Sequence, residues 1–496
     1  MRTQIAVTAL LAGTYASMAG TDIWFTPLTQ SAPVVPPNDL GELSSPWVTP
    51  EGIHQKNALS LREVEDTVLS PNQSTVRVPG LGNSASMFDM LAYDPTGNFL
   101  FIPHETSIGA GCSRHNLYDN STEVIFAGDQ QGATGNWSND YGAFDPCRWT
   151  PNDTLFLAEE WSGLGRVVEI LNPMAPADQI QHRVLESIPN VAHEGINFSQ
   201  KFKDTIYFID EFNSGSIYKF VMKTPGDYTV GQSFVLSVNA FASSGGNPAL
   251  DWNQQAAGVV REGEATWVPL TDEDGVPLPG ISDPFLDNGL GGRAAADSAG
   301  ATPFGRPEDM SVGRKNNGNE MVYVAITSEN KILSLEMLGK RGGGKRGKSP
   351  ERVMVRTMAS TETTKNVGFP TTTGVLNSPD NIAMDAAGNI YVIEDAPNGS
   401  STGGDIWFVR DKNSDGIAES LDHFMSIRVS GSEATGMIFN PTVPTEFAVC
   451  VQHPVSTDLA TVPAGLGDAV WLFNVNNVPN KGFVKALNKG RANTNQ

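Results

Sequence analysis

The stretch Asn377 to Asp395, N-S-P-D-N-I-A-M-D-A-A-G-N-I-Y-V-I-E-D, decides how the chain reads. Ile382 and Met384 precede an Ala-Gly-Asn turn within Ala386 to Asn389, and Ile390 and Val392 follow it. That is hairpin chemistry, two short strands joined by a tight turn. In an antiparallel hairpin the start of the first strand lies beside the end of the second. Asp380 and Asp395 therefore meet at one edge although they are distant in sequence. Two carboxylates held together repel unless a positive charge lies between them, and a bound cation supplies one. A lone hairpin favours the reading of two solvated turn acids, so the weight falls on repetition.

The pattern recurs. Asp89 opens a stretch that closes at His104-Glu105, and C-R-W-T-P-N-D-T-L-F-L-A-E-E runs from Cys147 to Glu159-Glu160. His193-Glu194 opens a third copy closing at Asp210-Glu211, and Arg306-Pro307-Glu308 a fourth closing at Glu329. Asp380 to Asp395 is the fifth, and Glu433-Ala434-Thr435-Gly436 opens a sixth that closes at His453. Third strands follow at Gly165, Gly215, Lys331, Gly404 and Asp468, with fourth strands such as those at His182 and Glu351. Four short antiparallel strands per unit, repeated about six times, predict an all-β fold. The fold expected is a six-bladed β-propeller with an N-terminal extension and inserted loops. The interval between Glu211 and Glu329 is the longest and holds an insertion or a seventh blade.

Radial repetition places equivalent strand ends around one channel. Glu105, Glu160, Glu194, Glu211, Glu308, Asp380, Asp395 and Glu433 are then expected to converge on one mouth, with His104, His193 and His453. Glu159 and Asp210 join them as candidate calcium ligands. His193 and His453 read as groups that orient ligands or touch substrate, or as packed histidines. Arg306 reads as an anion holder or as the partner of a neighbouring acid.

Composition narrows the function. A net charge of −22 and a pI near 4.7 argue against nucleic acid as a partner and suit a protein that holds cations. Arg2, the apolar run from Ile5 to Ala16 and Ser17-Met18-Ala19 form a secretory signal over residues 1–19. Beyond it no run approaches the ~18–20 apolar residues of a membrane span. Six sequons, at Asn72, Asn120, Asn136, Asn152, Asn197 and Asn398, favour a secreted glycoprotein. Residues 20–80 read as an extended lead-in that wraps the propeller or closes its last blade, residues 81–480 as the propeller and 481–496 as a polar tail.

Smaller features leave alternatives open. Cys112 and Cys147 form a bridge, or Cys147 serves as a thiolate ligand; Cys450 reads as a small core residue. Arg114 is a candidate anion binder or a solvated loop residue. Residues 224–305 hold the large insertion, with strand character at Gly263 and an acidic Gly/Pro-rich loop from Asp272 to Asp297. Lys340 to Lys348 is a basic flexible tract. Asp411-Lys412-Asn413-Ser414-Asp415-Gly416 is a peripheral calcium loop or an Asp/Asn-rich turn.

Ordered short motifs carry a family likeness. They are Pro103-His104-Glu105, Thr150-Pro151 through Glu159-Glu160, Ala192-His193-Glu194, Tyr218-Lys219-Phe220, Arg306-Pro307-Glu308, Ser378-Pro379-Asp380-Asn381, Gly431 to Gly436 and Gln452-His453-Pro454. In this order the set resembles the PhoX-type alkaline phosphatases, over roughly Asn83 to Pro454. The resemblance implies hydrolysis of small phosphate monoesters at a cluster of calcium and iron ions in the propeller mouth. It also implies a secreted protein, read here as a monomer. Glu194, Glu308 and Glu433 would then be central ligands, with Glu105, Glu159, Glu160, Asp210, Glu211, Asp380 and Asp395 completing calcium sites and Cys147 near the family's thiolate. Ala158 and Ser432 stand where the family usually has cysteines, and Asn190-Val191-Ala192 replaces its arginine, which shifts the expected site toward calcium. The rival expectations are a calcium-dependent propeller lactonase or esterase and a non-catalytic calcium-binding propeller.

Overall fold

The hairpin of Asn377 to Asp395 forms as its residues dictate. Strand Pro379–Met384 pairs antiparallel with Ile390–Glu394, Met384 against Ile390 and Pro379 against Glu394. Asp385 shapes the turn: its Oδ1 accepts the N–H groups of Ala387 and Asn389 at 2.9 and 3.0 Å. Gly388 takes the left-handed conformation, φ 85°, that closes it.

The computed structural model describes residues 25–35, 45–60, 88–160, 163–287, 290–314, 317–339, 352–395, 401–452 and 468–489. The signal segment 1–19, Asn72, Asn398, the whole Lys340 to Lys348 tract and His453 lie outside the described residues.

The described chain is all-β apart from short 3-10 turns and two α-helices, Gly291–Ala299 and Lys481–Lys489. Its antiparallel meanders follow one another along the sequence. The first comprises Ala92–Tyr93, Phe99–His104, Gly111–Asn116 and Ser121–Ala127. The second comprises Phe144–Trp149, Leu155–Glu159, Val167–Ile170 and His182–Val184. The third runs through Ile196–Phe198, Thr205–Ile209, Ile217–Met222 and Gly231–Val238, and the fourth through Pro307–Arg314, Glu320–Ile326, Lys331–Leu338 and Arg352–Ser360. Strand Gly263–Pro269, inside the insertion, pairs with the outer strands of both. The third and fourth meanders thus share one nine-stranded sheet, and the hydrogen-bonded sheets number five. The fifth continues from the opening hairpin through Asp405–Arg410 and Ser420–Ile427 to Trp47–Val48. The sixth comprises Glu433–Phe439, Glu446–Gln452 and Ala469–Asn474, and His54–Ser60 from the lead-in completes it.

Six apolar clusters lie between consecutive meanders. Phe101 and Cys112 pack with Phe144 and Trp149, Phe156 with Phe208 and Tyr218, and Tyr207 and Leu236 with Val322 and Leu333. Met321 and Ile332 pack with Ile382 and Trp407, and Tyr391 and Phe408 with Phe439 and Phe447. The last cluster joins Leu91 and Leu100 to Ile438 and Cys450, so the final meander packs on the first and the arrangement is propeller-like.

Two segments depart from expectation. Gly291–Ala299, read as loop, is a helix because G-G-R-A-A-A-D-S-A is rich in strong helix formers, and Gly300 caps it at φ 75°. Residues 481–489, read as tail, form a helix that buries Phe483 and Leu487 against the fifth and sixth meanders.

Candidate metal centre

Each meander ends its inner pair of strands at the same face. In the first, second, fourth and fifth, Phe88 pairs with His104, Phe144 with Glu159, Pro307 with Ile326 and Pro379 with Glu394. The residue after each first partner is Asp89, Asp145, Glu308 or Asp380, and the residue after each second partner is Glu105, Glu160, Thr327 or Asp395. In the third, Glu211 N–H donates to Ala192 O, which sets Glu194 and Glu211 alongside. Successive strand residues face opposite sides. One phase of this alternation therefore sends a ring of carboxylates toward the axis.

The ring encloses a cavity of about 100 Å³, lined by Asp89, Glu105, Asp145, Glu160, Glu194, Arg306, Glu308, Asp380, Asp395, Glu433 and Gln452. Nine of those eleven residues are acids and one is a cation. Oxygens of Glu160, Glu194 and Glu211 lie within 4.8 Å of one another, as do those of Glu194, Glu308 and Asp380. Glu194 belongs to both groups. Buried oxygens without a hydrogen-bond partner gather here: Asp145 Oδ1, Glu160 Oε2, Glu211 Oε2 and Asp380 Oδ1. Buried polar atoms are normally satisfied, and ionised carboxylates out of water more so. These oxygens fit a set of hard cations, for which carboxylates are the preferred ligands.

The electrostatics agree. Burial pushes Asp145, Glu160, Glu194, Glu308, Asp380 and Glu433 well above the usual carboxylate range, and neighbouring acids add to it. Asp89 rises to about 6, mainly by burial and despite hydrogen bonds, and Glu105 rises to about 8 through burial and the Asp89 charge. Burial pulls Arg306 down, but Glu308 and Glu211 outweigh it and raise its pKa. Arg306 Nε donates to Glu211 Oε1 at 2.7 Å and Nη2 lies 3.1 Å from Glu308 Oε1. Its side chain is 38% exposed, so one edge of the guanidinium still reaches an anion arriving from solvent.

The backbone at the ring is strained in a regular way. Ala143, Arg306 and Ser378 immediately precede the first partners and have φ of 46°, 53° and 45°. Their carbonyls accept the N–H groups of Glu160, Thr327 and Asp395. Non-glycine residues in the left-handed region gather at functional sites.

Several expected site residues lie elsewhere. Glu159 faces away from the cavity because it alternates with Glu160; Arg166 Nε and Nη2 donate to it, each at 2.8 Å. Asp210 is likewise out of phase with Glu211 and is held by Arg293 at 2.6 and 2.7 Å. Cys147 is a free thiol in the apolar layer, in contact with Cys112, where burial raises its pKa well above the thiol range. It is not bridged and does not line the cavity. His193 packs on Phe208, with its pKa lowered to about 3 by burial, and does not line the cavity. Glu329 pairs with Arg261 and Lys331, while Thr327 occupies the ring position. Arg114 is bound to Glu123 and to the carbonyls of Pro173 and Ala175. Glu105, Glu160, Glu194, Arg306, Glu308, Asp380, Asp395 and Glu433 do line the cavity, with Glu211 beside it. Sequence reasoning missed Asp145, Gln452 and the ring role of Asp89. Asp89 and Asp145 were legible as the acids that open the first two repeats. Gln452 carries no signal of its own; its Nε2 donates to Asp89 at 3.0 Å and Glu105 at 2.8 Å, tying the sixth meander to the first.

Comparison with known proteins places this geometry. Among solved structures, Pseudomonas fluorescens PhoX in complex with vanadate, a transition state analogue, matches with a TM-score of 0.62 at 15% identity, over 92% of this chain and 98% of that one. At that identity the match shows the fold. Weaker neighbours include an inactive virginiamycin B lyase from Staphylococcus aureus (TM-score 0.38, 10% identity, 85% and 98% covered). The calcium-binding protein regucalcin from Agrobacterium tumefaciens is another (TM-score 0.35, 9% identity, 78% and 90% covered). No curated protein sequence matches the chain. The family described as alkaline phosphatase PhoX matches residues 119–455, more than half of the sequence and all six meanders in full or in part. The chain therefore belongs to the PhoX alkaline phosphatase family, whose activity is that of a phosphatase.

Proposed function

We propose that this protein is a secreted, metal-dependent alkaline phosphatase that hydrolyses phosphate monoesters at a metal cluster in the mouth of a six-bladed propeller. Each meander is one blade, and the strand Gly263–Pro269 bridges the outer edges of the third and fourth. The observation that carries the reading is the ring of buried carboxylates with unpartnered oxygens and a single exposed-edge arginine. Glu194 would be shared between two cation positions, one with Glu160 and Glu211 and the other with Glu308 and Asp380. Asp89, Glu105, Asp145, Asp395 and Glu433 would complete the shell. The donors lining the cavity are all oxygen apart from Arg306 and the Gln452 amide, which favours calcium; ferric iron would have to be held by carboxylates rather than by Cys147. When bound, such ions neutralise the phosphoryl oxygens and activate water as Lewis acids.

The chain's own residues do the rest. Arg306 is clamped by Glu211 and Glu308, so its guanidinium is preorganised to hold a phosphoryl oxygen without reorienting during turnover. Gln452 fixes the carboxylates of Asp89 and Glu105. The described residues lining the cavity include no serine, threonine, cysteine or histidine, which suits attack by water.

The test is to purify the protein without chelators, count its metals and follow p-nitrophenyl phosphate hydrolysis at alkaline pH. Calcium, alone or with iron, and chelator-sensitive turnover are expected. Bound calcium with no turnover of phosphate esters would overturn the phosphatase reading. A small phosphorylated substrate and a monomeric, extracellular protein belong to the same proposal; deleting residues 1–19 should retain the protein inside the producing cell.

A further inference from the structure

A second cavity, of about 800 Å³, opens on the face that carries the acid ring. Its walls come from four segments: Trp137 and Ser138 before the second meander, Leu164 and Arg166 inside it, Asn190 after it, and Phe285 and Asp287 in the insertion. The two cavities are linked along the chain by one pair of neighbouring acids. Glu160 lines the acid ring, and the adjacent Glu159 is bound to Arg166, which lines the groove. Buried polar groups fix both sides. Arg166 donates to the carbonyls of Trp137 and Asp140 at 3.0 and 2.7 Å. Asn190 Nδ2 donates to the carbonyls of Phe285 and Leu286, each at 3.2 Å. A pocket of this volume with rings presented from braced loops is of the size and kind that binds small organic groups.

The charge of the groove selects among such groups. Its one cation, Arg166, is bound to Glu159 and also attracted by Asp287, while Glu186 and Asp287 stand exposed at the rim, so acids outnumber the cation there. A leaving group bearing further negative charge meets repulsion there. A flat apolar one meets Trp137, Leu164 and Phe285.

We infer that this groove is the leaving-group subsite of the phosphatase, built for aromatic or other apolar alcohols and against alcohols carrying additional anionic groups. The inference rests on the phosphatase reading for its catalytic meaning, and on the groove's own geometry for binding.

Two measurements separate the two. Isothermal titration with 2-naphthol, which has no phosphate, reads the groove alone. Wild-type protein is expected to bind it, and Trp137→Ala to weaken binding about tenfold. No binding to the wild type would overturn the subsite whether or not the protein is a phosphatase. Binding without hydrolysis of any ester would sink the phosphatase reading and leave the aromatic site standing. The second measurement is the ratio of kcat/KM for 2-naphthyl phosphate to that for glycerol phosphate. Trp137→Ala should lower this ratio about tenfold, and an unchanged ratio overturns the inference. Should Trp137→Ala fold poorly, Asp287→Asn at the exposed rim serves instead. It should raise kcat/KM for 4-carboxyphenyl phosphate relative to phenyl phosphate about threefold, and no change would count against the subsite.

Discussion

Glu159 and Glu160 are neighbours in sequence and strangers in space, and the same is true of Asp210 and Glu211. In each doublet one acid faces an arginine that satisfies it, Arg166 or Arg293, at distances of 2.6–2.8 Å. The other acid faces the axis, where Glu160 and Glu211 each keep a buried oxygen with no hydrogen-bond partner. Both kinds are acidic, buried and at the end of an inner strand. The difference is the strand's alternation: one phase meets Arg166 or Arg293, each paired with a single acid, and the other meets a crowd of acids that share Arg306. An acid of the first phase holds the fold, and an acid of the second needs something from outside the chain.

The sharpest way to break that contrast is to remove one acid of each kind. Glu194→Gln, in the group shared by both carboxylate clusters, should abolish phosphatase activity by about 1,000-fold or more and remove metal from the purified protein, because the loss of a central charged ligand weakens cations on both sides. Metal counting and p-nitrophenyl phosphate turnover check this together; retained metal and retained turnover would place the centre elsewhere. Asp210→Asn should do the opposite. It leaves Arg293 buried with half its partner gone, which typically destabilises by about 3–5 kcal/mol. Calorimetry should show a lower Tm with metal content unchanged. If Asp210→Asn emptied the metal sites, the division between the two phases would fail.

How far the sequence reached is clear from the same residues. The fold was legible because strand, turn and closing acid recur with visible chemistry, as in Asp385 to Asn389. The ring was legible where each repeat places an acid at its start, as at Glu194, Glu308 and Asp380. Phase was not legible. A doublet such as Glu159-Glu160 offers two acids to the same edge, and only the register of Phe144 against Glu159 settles which one turns inward. Cys147 misled for a related reason: it sits two residues beyond a ring acid, but the register shifts between Phe144 and Cys147, and the thiol falls into the layer between the first and second meanders. The helix Gly291–Ala299 was hidden in a loop-like composition, and with it Arg293, the reason Asp210 is not a ligand.

A third, smaller effect sharpens the contrast through pH. Asp89 and Glu105 rise to about 6 and about 8 in the metal-free protein, from 3.8 and 4.5, chiefly because burial disfavours their charged forms. Between the unfolded and folded values the native state binds more protons than the unfolded chain, so the stability of the chelated protein falls as pH rises from about 4 to about 8. Cations compete with those protons, so metal affinity should rise over the same window. A chelated sample should therefore lose about 5 °C of Tm between pH 5 and pH 8, and a metal-loaded one should not. Parallel slopes in the two samples would show that the ring acids titrate independently of metal.

The smallest expected effect concerns the backbone that aims the ring. Ala143 is left-handed at φ 46°, and its carbonyl receives the N–H of Glu160. A non-glycine residue there is strained by about 1–2 kcal/mol, a strain that glycine lacks, although glycine gains entropy in the unfolded chain. Ala143→Gly should therefore stabilise the fold by no more than about 1 kcal/mol. If the strain serves only to turn the strand, activity follows stability and stays near that of the wild type. If it presses Glu160 toward Glu194 and Glu211, relaxing it should loosen the cluster, and calcium affinity should fall while Tm in chelator rises. Measuring both on one variant distinguishes a turn that merely reverses the chain from one that sets the spacing of the carboxylates.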